Sequence, residues 1–208
     1  MIQFAFQKKV WKLHCRLLAF LLIFAFLVPC VYSYEANVVN DIDAARNAKE
    51  HNNQGVAFLR DKDYYAAIKE FEIAIGINPN TQATSVYYNN LGHTYMKIYE
   101  LTKNVTLAKL AQNCFEKAVL QDCMNITYYK NLVDSYEAQG ILNQKLSFLL
   151  ANRAKNPYNL VIAGLIYIKQ NKIGIAVTTL DDFCSQNPDL VITKDLQRII
   201  DSYNVFNL

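Results

Sequence analysis

Proline and glycine are scarce in this chain, four and six residues among 208. That scarcity excludes collagen-like and low-complexity architectures. Charged residues are also few, 19% against 52% hydrophobic ones, which is the wrong balance for an intrinsically disordered polypeptide. The five cysteines are scattered and outline no disulfide framework. Cys114 and Cys123 stand nine apart, neither the spacing of a zinc knuckle nor one helical turn, and Cys114 and Cys184 each adjoin a phenylalanine, as small buried residues do. Histidine is limited to His14, His51 and His93. There is no nucleophile elbow, phosphate loop or dinucleotide fingerprint, and no nucleophile–base pair or metal constellation, so neither an enzyme nor a cofactor or metal is expected. No stretch alternates apolar and polar residues long enough to form a sheet.

Acidic residues are absent from the first 33 positions, which carry Lys8, Lys9, Lys12 and Arg16. Setting these four aside leaves 17 basic against 18 acidic residues, so the body is near neutral and lacks the field of a nucleic-acid binder. After Arg16 comes the apolar run Leu17 to Val28, then Pro29, Cys30, Val31, Tyr32 and Ser33. A basic stretch, a short apolar core and small residues at its end are the requirements of a secretory signal. Two readings stay open: cleavage after Ser33, or an uncleaved anchor, since Leu17 to Tyr34 approaches the ~20 residues that span a bilayer. Residues 8–34 would contact the membrane in the second case. Both readings place the body outside the cytosol, periplasmic, secreted or tethered.

Beyond a linker and helix start at 34–47, the sequence repeats. Gly55 is followed by Phe58, Ala67, Phe71, Ala74 and Pro79 at spacings of 3, 9, 4, 3 and 5. Small residues at Gly55 and Ala67 let two antiparallel helices approach closely, the two phenylalanines fill the space beside the contact, and Pro79 ends the second helix. These intervals resemble the tetratricopeptide repeat (TPR), whose signature recurs about every 34 residues. The pattern returns with Tyr88, Leu91, Gly92 and Tyr95, then Ala111, Phe115 and Ala118. Between Gly92 and Ala111 the small-to-small interval is 19 rather than 12, which predicts a hairpin lengthened by about one turn per helix with its tip between Leu101 and Thr106. A third unit is degraded: Tyr129, Leu132, Val133 and Tyr136 keep the stripe and Gly140 makes the turn, but Lys145 and Asn152 replace the two alanines. A fourth carries Leu160, Ala163, Gly164, Tyr167, Ala176, Leu180, Phe183 and Pro188.

The expected fold is therefore all-α: a right-handed superhelical α-α solenoid of about four TPR-like hairpins (48–81, 85–124, 126–157 and 157–188), preceded by the N-terminal hydrophobic helix. A capping helix within 189–208 follows, with Thr193 as its cap and Leu196, Ile199, Ile200 and Tyr203 on one face.

The resemblance also implies where a partner would lie, because in this family the first helices of successive repeats line a concave groove. Carried over, the groove positions are Lys49 and Asn52 in repeat one and Asn89, His93, Met96 and Lys97 in repeat two. Repeat three contributes Lys130, Asp134 and Glu137, and repeat four Tyr158, with Leu165, Ile168 and Lys169 beyond it. Members that clamp a terminal carboxylate use a lysine and an asparagine where this chain has Asn52 and Val56, which argues against that activity. The expected function is a non-catalytic scaffold or adaptor for a protein or peptide. The alternative is a self-associating structural component of an envelope assembly, a homo-oligomer.

Overall fold

A computed structural model describes residues 46–204, all but the first of them within the compact unit Asn47–Leu208. The expected targeting segment, its hydrophobic helix and most of the linker lie outside the described residues, as do 205–208 at the end of the expected cap. The described residues are helical throughout, without a strand. Helix α1 covers 46–60, and α2 Tyr64–Ile77, α3 Gln82–Thr102, α4 Val105–Gln121 and α5 Ile126–Ala138 follow. Then come α6 Leu142–Ala151, α7 Tyr158–Lys169, α8 Ile173–Gln186 and α9 Val191–Asn204.

Consecutive helices pair as hairpins, and α5 also meets α3, α7 and α9, which makes the fold an α-α solenoid. Its apolar core runs along the stack in successive clusters. Ala48, Ala74 and Tyr87 form one, Ala67, Phe71, Leu91 and Cys114 the next, and a large one extends from Ala111 to Ile200.

The spaced small residues do what close packing requires. A Cβ placed on Gly55 would stand 2.6 Å from the Phe71 ring, one on Gly92 2.7 Å from the Phe115 ring, and one on Gly164 2.4 Å from Leu180. In three hairpins the large residue of the second helix thus occupies the volume vacated by a glycine of the first. The third hairpin has Val133 at that place, and its second helix, α6, is only 10 residues long and packs more on α7 than on α5. Lys145, standing where an alanine was expected, lies partly covered over Tyr136: its ammonium is 4.7 Å from that ring centroid and 3.7 Å from Glu116.

The lengthened hairpin turns at Lys103 and Asn104, inside the expected interval. Its turn residue, Lys103, has φ 55°, and Lys62, Gly140 and Asn171 hold the same left-handed conformation in the other three hairpins. Two expectations are corrected. Phe58 stays 37% exposed, so Phe71 alone fills the space against Gly55. Thr193 does not cap α9. It lies inside the first turn and donates its hydroxyl to the carbonyl of Asn187, closing the end of α8, as Thr84 does to Asn78 at the end of α2.

Candidate functional site

Two of the groove asparagines are used within the solenoid itself. Asn90 donates its side-chain amide to Asn52 Oδ1 at 2.9 Å, joining α1 to α3, and Asn131 donates to Asn89 Oδ1 at 2.7 Å, joining α3 to α5. Asn52 is buried. These side chains set the register of successive repeats, because breaking either pair leaves a polar group short of a partner.

Past this ladder, the face built by α3, α5, α7 and α9 carries two adjoining hollows. The first, about 450 Å³, lies between α3, α5 and the end of α7, where His93, Met96, Tyr99 and Glu100 face Asn131, Asp134, Glu137 and Lys169. The second, about 390 Å³, is formed by α5, α7 and α9, with Val133, Leu165, Ile168 and Ile199 as apolar walls and Lys130 at its edge. Asp134 and Lys169 border both. The Lys169 ammonium lies 2.6 Å from Asp134 and 3.1 Å from Glu137, a bridge between α5 and α7 that divides one hollow from the other. The hydrogen bond to Asp134 is the main reason its pKa is raised; partial burial opposes it and Glu137 adds to it.

His93 is exposed at its edge, yet the groove walls hold its pKa below the ordinary imidazole value. Desolvation is the leading cause and the charge of Lys97 the second, with Glu100 acting against both. Lys97 is itself paired with Glu100 at 2.9 Å.

The sequence-derived site residues thus divide. His93, Met96, Asp134 and Glu137 come together in the first hollow, and Lys130 lies at the second. Lys97 is tied to the first through Glu100, while Lys49 is exposed on α1, outside both hollows. Tyr158 turns instead into the core, its ring 6.3 Å from Tyr129 and 5.5 Å from Phe183. Tyr99, Glu100, Asn131 and Ile199 were missed. Tyr99 and Glu100 lie on the extra turn of α3, so the long interval between Gly92 and Ala111 was their signal; Asn131 and Ile199 had none beyond helical spacing.

Cys114 and Cys184 serve as packing residues rather than as reactive thiols. Cys114 is buried, and desolvation pushes its pKa up to about 12, which keeps it protonated and inert; burial raises that of Cys184 too. Among the described residues no three of His, Cys, Asp or Glu gather as metal ligands would.

No protein-family profile matches the chain, and no curated protein does. Solved structures that resemble it include the Arabidopsis OM64 TPR domain, 13% identical, TM-score 0.43, covering 77% of this chain and 98% of that one. A tetratricopeptide repeat protein from Parabacteroides merdae is 19% identical with TM-score 0.46 over 75% of this chain and 59% of that one. YrrB, described as a TPR protein with an unusual peptide-binding site, is 19% identical with TM-score 0.41 over 75% and 76% of the two chains.

Proposed function

We propose that this chain is a non-catalytic binding module that holds a peptide or protein segment along the face made by α3, α5, α7 and α9. The observation that carries the reading is the pair of adjoining open hollows there, about 450 and 390 Å³, bordered in common by Asp134 and Lys169. Both fall within the ~300–1,000 Å³ of ordinary ligand sites. The basic and apolar N-terminal segment supports a body delivered outside the cytosol or held at the membrane.

The test is recovery of partners from the native host. The variant combines His93→Ala, Met96→Ala and Lys97→Ala, leaving Asn89 intact because it braces α5. Loss of the co-purifying species is expected, and recovery at the wild-type level would sink the reading. Amino-terminal sequencing of the same material distinguishes a start at Tyr34 from an uncleaved anchor.

A second reading, self-assembly, draws on the tip of the long hairpin, where Leu101 is 70% and Val105 44% exposed. Sedimentation over a range of concentrations decides it: a body that stays monomeric throughout excludes it, and Leu101→Ser should abolish any dimer.

A further inference from the structure

The two hollows differ in charge as well as polarity. Around the first, Glu100, Asp134 and Glu137 present three carboxylates against the single ammonium of Lys169. These carboxylates keep 53%, 44% and 50% of their side-chain surface exposed, so an entering group meets them directly. Lys169 already answers Asp134 and Glu137 at 2.6 and 3.1 Å, and Glu100 is shared only with Lys97 on its own helix. The second hollow has Val133, Leu165, Ile168 and Ile199 as its apolar walls, with Lys130, Ser202 and Tyr203 beside the shared Asp134 and Lys169. Along the whole face Lys97, Lys130 and Lys169 balance these three carboxylates, but Lys97 and Lys130 stand outside the lining of the first hollow, where an acidic side chain adds to the excess negative charge and a basic one offsets it.

We propose that the groove takes an extended partner segment carrying a lysine or arginine close to a bulky aliphatic or aromatic residue. The cation sits among Glu100, Asp134 and Glu137, and the apolar side chain enters between Leu165, Ile168 and Ile199. The proposal rests on the groove-binding function proposed above and adds to it the chemistry of the occupant. Neighbouring side chains of an extended chain point to opposite faces, so the two contacts fall on residues an even number apart or on a kinked pair, with the Asp134–Lys169 bridge beneath the intervening backbone.

The experiment probes the labelled full-length chain against an array of short peptides of random sequence, alongside Glu100→Gln/Glu137→Gln and Ile168→Ser variants whose helicity is verified by circular dichroism. Peptides pairing Lys or Arg with Leu, Ile, Phe or Tyr should bind roughly tenfold more strongly than their acidic counterparts, an advantage that high salt erodes. Glu100→Gln/Glu137→Gln should cancel that preference, and Ile168→Ser should weaken all binding. Binding that Ile168→Ser weakens but that shows no preference for basic peptides overturns the inference and leaves the groove reading intact. Binding untouched by either variant, or none to any peptide, overturns both.

Discussion

Glycine stands in three distinct settings in this chain, and substitution by alanine separates them. Gly55 faces the ring of Phe71, which is fully buried and has nowhere to go, so Gly55→Ala should cost about 1–3 kcal/mol despite the gain in helix propensity. Adding Phe71→Leu should make the pair less damaging than the sum of the single changes, because both act on one contact. Gly140 has open space around it but φ 69°, so Gly140→Ala costs about 1 kcal/mol through backbone strain alone. Gly76 has neither constraint, and Gly76→Ala should stabilise α2 by about 0.5 kcal/mol. Urea unfolding of these variants, with Phe71→Leu alone to complete the cycle, checks the series; a harmless Gly55→Ala would refute the close-approach argument.

His93 supplies a pH dependence at the same scale. Its pKa is lowered in the folded chain, so the unfolded chain binds the proton more readily. The contribution to stability is then complete above the ordinary imidazole pKa, about 6.5, and is lost as pH falls toward the folded value. Nuclear magnetic resonance titration of the His93 ring should give a midpoint below 6.5, and His93→Gln should flatten the acid limb of stability. A midpoint at or above the free value would show that the groove walls do not desolvate the ring.

At the scale of elements, the hairpins were legible because close approach of two helices imposes fixed intervals, and glycine with its large partner recurs in three of four. The third was legible only as a degraded unit, because Val133 stands where the others have glycine and α6 is short and packs more on α7 than on α5. The asparagine ladder was invisible for a different reason: its partners, Asn52 with Asn90 and Asn89 with Asn131, lie in separate repeats, and periodicity within one repeat says nothing of them. Asn131→Ala should destabilise the fold by about 1–2 kcal/mol, since Asn89 loses its donor. The helix starts are more local. Asn125 accepts the backbone amide of Thr127 at the head of α5, and Asn125→Ala should cost about 1 kcal/mol. Thermal unfolding of both variants distinguishes the contributions, because only Asn131→Ala should also loosen α3, as read by amide exchange.

Across the unit as a whole, the core is a chain of clusters in which each hairpin touches mainly its neighbours, so stability is closer to a sum of local terms than to a single shared interior. The last helix shows the consequence most clearly. Ile192 and Leu196 are completely buried and Ile200 nearly so, and among the described helices α9 packs on α8 and α5, which makes it both the cover of the stack and one wall of the apolar hollow. Leu196→Ala empties a site that nothing beyond α9 among the described residues can refill, at a cost of about 2–5 kcal/mol. In a globular domain with one core that loss would lower amide protection everywhere. In this stack it should fall chiefly on α7, α8 and α9, leave α2 and α3 nearly as protected as before, and open the hollow beside Leu165 and Ile168 to an apolar dye. Hydrogen exchange read helix by helix is the decisive measurement: a uniform loss from α2 to α9 would mean that the hairpins unfold as one unit and that the groove cannot be loosened at one end while the other holds.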